Sequence, residues 1–491
     1  MTEDTSRVDV TSGISGRASA ARDLIALLTP LANLDEGPVS SRQSDGNPPF
    51  SERCRILSAI ESLLLALVPD QPLYAAFHDG KVHDPLGGGA YAFREDLVGP
   101  LLAALVHDED LSADGDSISR PKAPDALDIP NRPIVIHAGA QPNNSPHCGT
   151  LIVFCYAFAV AQAIRDRMHA MAAGAKVAFQ PPPVRVEITF VDTAPVSGEG
   201  LEINGVHYQR SYRDTPGAAT AWTGDYHEVL TLLSRWSGVP FTTAVQSDFF
   251  SNAAMPQLLD YLITNRHTLG RQLSPKHGTL ALRAACPVPG CGLAEKHGRL
   301  NQYDTTPPPS TTTTITFYCP HHGPHTLALS NASPPAVTRR LEANAPTRNL
   351  LRSMAHLLDT TRHHIRVTGA DYAGSYQETM LYRPLAEWAA ATGLGRGRTP
   401  HILYAPLVVD WSGAKLSKSL YVREGGYDGM ELLGTEGLAS WRVLRDAEGE
   451  EGLRRVWGEV GRWVGDPRRV FRCFSVEYLR RVVVEGRGWE G

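Results

Sequence analysis

The chain has 491 residues, of which 42 % are hydrophobic and 20 % are charged, the composition of a globular protein with roughly two to four structural units. The formal net charge of −5 excludes a protein that binds nucleic acid through a uniformly basic surface. No uninterrupted run of about 18 apolar residues occurs, and the polar start does not resemble a secretory signal. Seven cysteines are too few for a disulfide framework. We therefore expect a cytoplasmic protein without a membrane span.

The first part of the chain is predicted to be a helical N-terminal extension, residues 1–127. Apolar residues recur with helical spacing at 17–28, 51–68 and 95–107, and a loop rich in Gly, Pro and Ser separates the first two helices. We find no motif in this extension that points to chemistry.

From residue 128 onward, strand and helix patterns alternate. Strands are predicted at 133–138, 184–191, 240–246, 365–368 and 401–409. Helices are predicted at 149–172, 226–236, 253–271, 336–358 and 376–390. This alternation predicts an α/β fold with a doubly wound parallel, Rossmann-like sheet. Its halves would be residues 128–279 and 331–420, separated by a cysteine-bearing insertion at 280–330 and followed by a short helical region at 421–491.

The first motif, Pro-Asn-Asn-Ser-Pro-His-Cys-Gly-Thr at 142–150, lies between the first strand and its helix. Loops at this edge of a doubly wound sheet bind ligands, and the N-terminus of the following helix favours an anion. His147 can donate to a phosphate oxygen, and Gly149 lets a ligand approach the backbone closely. Asn144 and Cys148 flank them as candidate substrate contacts. The alternative is a turn in which a serine caps the helix.

The second motif is Lys-Leu-Ser-Lys-Ser at 415–419. Lys415 and Lys418 flank Ser417, and Ser419 follows, in a loop after the last predicted strand. Two lysines on such a loop form a positive clamp suited to the negative charge of a phosphoryl or adenylyl transition state. A solvated basic loop is the alternative interpretation.

The third motif is a set of cysteines and histidines in the insertion. Cys286 and Cys291 are followed by Cys319 and by His322, with His321 and His325 as competing donors. Three thiolates and one imidazole form a suitable tetrahedral zinc set, and four protein ligands predict a structural zinc knuckle. The alternative is that these are three unrelated buried cysteines.

Acidic residues near strand ends form the last constellation. Asp192 ends the second predicted strand, and Asp371 and Glu378 follow the fourth. A carboxylate in such a position can hold a cationic substrate, and Tyr372 and Tyr376 could stack on a guanidinium group. The alternative for each acid is a surface cap or a solvated turn.

The first two motifs resemble the HIGH and KMSKS signatures of class I aminoacyl-tRNA synthetases. Over residues 134–420 the chain is most similar to the core of class I lysyl-tRNA synthetases, which also carry a cysteine insertion. The resemblance implies that His147 and Gly149 contact ATP or an adenosine end. It implies that Gly369 and Asp371 line the adenosine or aminoacyl pocket, and that both lysines of the second motif face phosphates.

The size, the core and the cysteine insertion also resemble the fungal arginine-containing cyclodipeptide synthases. These enzymes have a synthetase-like core and use aminoacyl-tRNAs that are already charged. Only 72 residues follow Ser419, fewer than the large tRNA-binding domain of lysyl-type synthetases. The resemblance implies arginyl-tRNA and a second aminoacyl-tRNA as partners, a cyclo(Arg-Xaa) diketopiperazine as product, and Asp192 in the role of the first acid of the family's acidic motif.

Two alternatives stay open. One is an ATP-dependent class I ligase that activates lysine or arginine as an adenylate, with ATP bound by the two motifs. The other is a catalytically inactive synthetase-like protein that binds RNA. None of these interpretations involves DNA or a membrane.

Overall fold

The computed structural model describes residues 96–113, 129–174, 180–305, 312–392, 400–410, 413–415, 436–469, 473–483 and 485–486. The chain divides into two compact units, Met1–Leu73 and Tyr74–Gly491, and every described residue belongs to the second. The helices predicted at 17–28 and 51–68 lie outside the described residues, as do Ser417, Lys418 and Ser419 of the second motif.

The strands in the described ranges are β1 (Ile134–Ala140), β2 (Val184–Phe190), β3 (Leu201–Ile203), β4 (Val206–Gln209), β5 (Phe241–Val245), β6 (Leu282–Ala284), β7 (Ala294–Glu295), β8 (Gln302–Thr305), β9 (Thr312–Cys319), β10 (Gly323–Ser330), β11 (Leu341–Ala343), β12 (His363–Gly369), β13 (His401–Ala405), β14 (Val408–Val409) and β15 (Phe474–Ser475). The α-helices there are α1 (Val98–Ala113), α2 (Cys148–Gly174), α3 (Thr223–Ser237), α4 (Gln246–Phe249), α5 (Met255–Thr264), α6 (Arg266–Leu273), α7 (Pro335–Thr338), α8 (Ala345–Leu358), α9 (Ser375–Gln377), α10 (Arg383–Thr392), α11 (Trp441–Gly465) and α12 (Val476–Val483).

Five parallel strands form the central sheet, in the order β13-β12-β1-β2-β5. The strand order therefore reverses between β1 and β12, as in a doubly wound fold. Both faces of the sheet are covered: Leu403 and Ala405 of β13 belong to one hydrophobic core, whereas Ile402 and Tyr404 belong to another. These observations confirm the predicted parallel α/β sheet.

Helix α2 is the central helix of the larger core. It is long and apolar enough to cross a membrane by length and composition, but 67 % of its most apolar window is buried inside the protein. Its side chains, including Phe154, Phe158 and Ile164, pack among residues of the sheet, α3 and α11. The apolar character of α2 is therefore accounted for by its packing in the core.

Three predicted helical segments differ in detail. The segment at 253–271 consists of α5 and α6, which meet at Asn265. The segment at 336–358 contains the strand β11, and the segment at 376–390 contains a π-helical turn, Glu378–Tyr382, between α9 and α10. Asn344 is the N-cap residue of α8, and its side chain accepts a hydrogen bond from the Thr347 amide at 3.0 Å.

Strand β11 pairs with β6, and this pairing joins the cysteine-bearing insertion to the chain that follows it. Glu342 lies opposite Arg283 in the register, 3.4 Å from its Nε, and also lies 3.0 Å from Arg213. Glu342 is 1 % exposed and Arg283 is 4 % exposed, so this is a buried ion pair. The insertion itself contains the antiparallel sheet β10-β9-β8.

The segments at the two ends of the described chain pack onto the catalytic core predicted at 128–420. In α1, Glu109 and Asp108 lie 2.8 and 2.6 Å from the imidazoles of His363 and His401, which begin β12 and β13. At the other end, β15 pairs in parallel with β14, and α11 packs against α2. The predicted domain boundaries stay predictions.

Candidate functional site

A cavity of about 780 Å³ opens at the carboxyl ends of β1, β2 and β12, beside the segment that follows β13. It therefore lies at the point where the strand order reverses, which is where ligands bind in open α/β sheets. Seven of the residues predicted from sequence line it: Asn144, His147, Gly149, Gly369, Asp371, Tyr372 and Lys415.

His147 is held against the N-terminus of α2. Its Nδ1 accepts a hydrogen bond from the Gly149 amide at 3.1 Å, which places the hydrogen of the neutral imidazole on Nε2. A Cβ atom on residue 149 would lie 2.9 Å from Cε1 of this ring and 3.1 Å from Nδ1. Glycine at position 149 is therefore required for this position of the imidazole.

The first turn of helix α11 donates two hydrogen bonds to the loop that carries His147. The amide of Trp441 donates to the carbonyl of Pro146 at 2.6 Å, and the amide of Arg442 donates to the hydroxyl of Ser145 at 3.1 Å. Ser145 therefore accepts from the first turn of α11, whereas the alternative interpretation of the sequence had it cap α2. The C-terminal region thus positions the first motif.

Lys415 reaches the cavity from a turn after β14. Its ammonium group lies 2.6 Å from the carboxylate of Asp371, and both side chains are partly exposed. A Cβ atom on residue 369 would lie 2.5 Å from Asp371 Oδ1, so Gly369 allows the carboxylate to fold back toward its own strand end. The contact connects the first residue of the second motif to the Gly-Ala-Asp turn.

Four predicted residues do not line the cavity. Cys148 is 1 % exposed in the core, where burial raises the pKa of its thiol to about 12. Asp192 is buried and accepts from the amide and hydroxyl of Ser247 at 2.9 and 2.5 Å. Glu378 pairs with the guanidinium of a neighbouring arginine in α10. Tyr376 packs edge-on against Tyr372, and burial raises its pKa to about 12. Their functional roles stay predictions.

Sequence reasoning did not single out three arginines that line the cavity: Arg348, Arg352 and Arg366. The first two are four residues apart on α8 and therefore share a face of that helix. The third lies within the buried strand β12 between Ile365 and Val367. An arginine inside an apolar parallel strand was a signal in the sequence, because such strands are buried on both faces.

Three histidines lie close to these arginines, and one of them, His137, also lines the cavity. The rings of His356 and His364 stack with centroids 4.1 Å apart, and His137 Nε2 lies 2.8 Å from His364 Nδ1. His137 also lies 3.3 Å from Glu187. Burial is the largest cause that lowers the pKa of His137 to about 4, and it lowers that of His356 well below its ordinary value. These two imidazoles are therefore neutral near pH 7.

A second group of donors lies in the insertion. One donor atom each from Cys286, Cys291, Cys319 and His322 lies within 4.8 Å of the others. The sulfurs of Cys291 and Cys319 are 3.6 Å apart, and His322 Nδ1 is 3.5 Å from the sulfurs of Cys286 and Cys319. Zinc–ligand lengths of about 2.3 Å to sulfur and 2.0 Å to nitrogen, at tetrahedral angles, give separations of roughly 3.8 and 3.5 Å. The donor set therefore fits a tetrahedral metal ion.

No protein-family model and no curated protein matches this chain. Among solved structures, it is similar to a glutamate tRNA ligase from Elizabethkingia meningosepticum, with 12 % identity over 60 % of this chain and 53 % of that one, at a TM-score of 0.26. This chain thus spans about half the length of that ligase.

Two further similarities are to arginyl-tRNA synthetases. A putative one from Campylobacter jejuni has 8 % identity, with 79 % of this chain and 72 % of that one covered, at a TM-score of 0.30. The Thermus thermophilus enzyme has 12 % identity, with 97 % and 83 % covered, at 0.27. All three similarities are too weak to support a conclusion about fold or function.

Proposed function

We propose that this protein is an aminoacyltransferase with a class I synthetase-like core, which joins two aminoacyl groups from charged tRNAs into a diketopiperazine. One observation carries the proposal. His147 and Lys415, 268 residues apart in the sequence and each part of a motif that resembles a synthetase signature, line one cavity at the switch point of a parallel sheet. The reaction would take place in the cytoplasm.

The lining residues suit the adenosine end of an aminoacyl-tRNA. The imidazole of His147, which accepts from the Gly149 amide, would donate from Nε2 to a phosphate or ribose oxygen. Lys415, positioned by Asp371, would balance negative charge at the same end. These contacts hold and orient the ester that reacts.

Two acyl transfers would then give the product. The α-amine of one aminoacyl group attacks the ester carbonyl of the other, and the ribose hydroxyl of that tRNA leaves with a proton. The α-amine of the transferred residue, which is the free N-terminus of the resulting dipeptidyl-tRNA, then attacks the remaining ester; the ring closes, and the second ribose hydroxyl leaves with a proton. The ester bonds supply the free energy, so no ATP is consumed. By the resemblance, one of the two residues would be arginine.

The test is product formation by the purified full-length chain. Incubation with a mixture of aminoacyl-tRNAs should give a new diketopiperazine mass, and ribonuclease treatment of the tRNAs should abolish it. His147→Ala should lower the rate, whereas His169→Ala, at an exposed histidine on α2, should not. No diketopiperazine with any charged tRNA would refute the proposal.

A second candidate is an ATP-dependent ligase that forms an aminoacyl adenylate. The position of the Lys415 ammonium group in the cavity favours it, because a lysine there can neutralise charge on a triphosphate. Exchange of pyrophosphate into ATP in the presence of lysine or arginine would identify this activity. Lys415→Ala should lower the exchange rate, and Lys276→Ala, an exposed lysine in the described part of the chain, serves as its control.

We also propose that Cys286, Cys291, Cys319 and His322 hold a structural zinc ion. Their spacing supports this, and four protein donors leave no open position for a substrate. When bound, zinc would supply a cross-link between the start of the insertion and the turn between β9 and β10. His322 rather than His325 fits as the fourth donor, since His325 Nε2 lies 3.2 Å from the carbonyl of Ala284.

A further inference from the structure

We propose that Arg348, Arg352 and Arg366 form an oxyanion site in the cavity, which binds a carboxylate or phosphate group of the substrate. The three guanidinium groups converge from two elements, α8 and β12, on the same cavity. The inference rests on the proposed function in one respect, namely that substrate binds in this cavity.

The three arginines form their hydrogen bonds with neutral groups of the protein. Among the described residues, none of the three arginines has an aspartate or glutamate oxygen within 4.0 Å. Instead, Arg348 donates to the Ala343 carbonyl at 3.3 Å, Arg366 donates to the Asn349 side chain at 2.9 Å, and Arg352 donates to the side-chain oxygen of Gln246. These partners are neutral, so none of the three guanidinium groups forms an ion pair within the described structure.

Arg283, a nearby buried arginine outside the cavity lining, differs from these three because it has a carboxylate partner. Arg283 is buried, as Arg348 is, and Glu342 lies opposite it in the strand pairing. Buried charges in proteins are ordinarily paired in this way, because an uncompensated buried charge is strongly destabilising. Arg348, at 9 % exposure, departs from that rule where it faces the cavity.

Burial and mutual repulsion act on the cluster together. Burial is the largest cause that lowers the pKa of Arg352 to about 9, and the neighbouring guanidinium groups of Arg366 and Arg348 lower it further. Burial also lowers the pKa of Arg348 to about 10. An anion that bound among the three groups would relieve this repulsion, which is the usual reason for clustering arginines in a cavity.

The rest of the lining does not supply the missing negative charge. Asp371 is the carboxylate among the described lining residues, and it is paired with Lys415. Glu187 of β2 lies outside the lining and hydrogen-bonds to His137; its charge raises the pKa of Arg352, but it forms no ion pair within 4.0 Å with that guanidinium among the described residues. Tyr372 and Tyr376, predicted to stack on a cationic substrate, lie close to the protein's own Arg348 and Arg366. This part of the cavity therefore does not suit a substrate guanidinium or ammonium group.

The oxyanion can come from two sources, the phosphate of a nucleotide or the side-chain carboxylate of an acidic amino acid. Isothermal titration of the full-length protein with matched probes distinguishes them: AMP against adenosine, and L-glutamate against L-glutamine. We expect the anionic member of at least one pair to bind at least about tenfold more tightly, as for hydrogen bonds to charged groups. A preference within the first pair identifies phosphate, and one within the second identifies a carboxylate.

Substitution of one arginine tests whether the three-arginine cluster causes the preference for the anionic ligand. Arg348→Gln should reduce it about tenfold or more, and Arg481→Gln, an exposed arginine on α12, should leave it unchanged. If Arg348→Gln does not fold, as judged by circular dichroism, the partly exposed Arg366→Gln takes its place. Equal binding within both pairs, or a preference that survives these substitutions, would overturn the inference. Anion binding without product formation would instead contradict the proposed function alone.

Discussion

Replacing Gly149 with alanine tests whether the position of the His147 imidazole determines activity. The new Cβ would lie 2.9 Å from Cε1 of that ring, whereas two carbon atoms in contact prefer about 3.5–4.0 Å. The ring must therefore move by roughly 0.6 Å or more, and its hydrogen bond from the residue-149 amide lengthens from 3.1 Å.

The expected magnitude follows from that displacement. A hydrogen bond to a charged group contributes about 1.5–3 kcal/mol, and each 1.36 kcal/mol corresponds to about tenfold in rate. If the Nε2–H donates to a developing or standing negative charge, Gly149→Ala should lower kcat/KM by roughly 10- to 150-fold. Stability should stay unchanged or rise by up to about 1 kcal/mol, because alanine is favoured over glycine in a helix.

The assay is the rate of diketopiperazine formation or of pyrophosphate exchange, measured beside a thermal unfolding curve. Gly458→Ala in α11 is the matched control, since a Cβ atom there meets no atom within 4 Å. It should raise stability slightly and leave the rate unchanged. A Gly149→Ala protein that keeps the wild-type rate would refute the reasoning, as would one that loses activity only because it unfolds.

Three further outcomes are expected. Metal analysis of the purified protein should find about one zinc ion per chain. The Cys319→Ser variant should lose this zinc, whereas Cys473→Ser, a control at an exposed thiol, should retain it. A wild-type protein without zinc would contradict the proposed metal site. In denaturant unfolding, Glu342→Gln should lower the free energy of unfolding by about 3–5 kcal/mol, because it leaves the buried Arg283 uncompensated. The control Glu450→Gln, in an exposed ion pair, should lower it by less than about 1 kcal/mol. The pKa of His137 in the folded chain, about 4, lies below its ordinary value of 6.5, so the unfolded chain binds the proton more readily. The contribution of the neutral imidazole to stability is complete above pH 6.5 and is lost as the pH falls toward 4, by about 1.4 kcal/mol per pH unit. His137→Gln should therefore weaken the dependence of the melting temperature on pH over that range. If this pH dependence is unchanged in the variant, the buried imidazole is not neutral in the folded protein.

The parallel sheet could be predicted from the sequence because its evidence is local. Short β-branched runs such as that of β1 and the long apolar helix α2 each show their own periodicity, and regular alternation of such elements permits few other arrangements. The predicted strand at 365–368 falls within β12, and the last one, at 401–409, covers β13 and β14. The predicted helix boundaries were wrong where a partner distant in the sequence determines the local structure. One example is β11, which lies inside the predicted helix 336–358 and pairs with a strand about 60 residues earlier.

Part of the site was predictable for a related reason. Loops that follow parallel strands meet at one edge of the sheet, so a motif directly after a strand has a known location. This places the loops of His147, Asp371 and Lys415 around one cavity. The same rule could not show that the carboxylate of Asp192 bonds to Ser247, because a strand end gives the position of a residue and not the direction of its side chain.

By itself, the sequence determined which segments alternate as strand and helix, where the motif loops follow the strands, and which cysteines are near one another along the chain. Only the tertiary structure decided that His322 completes the cysteine group and that α11 supports the loop of His147. It also decided that Arg348 and Arg366 meet in one cavity, where neither lies within 4.0 Å of a carboxylate of the described residues. Periodicity is a property of neighbouring residues, whereas the partner of a buried charge is chosen by packing between elements that are distant in the chain.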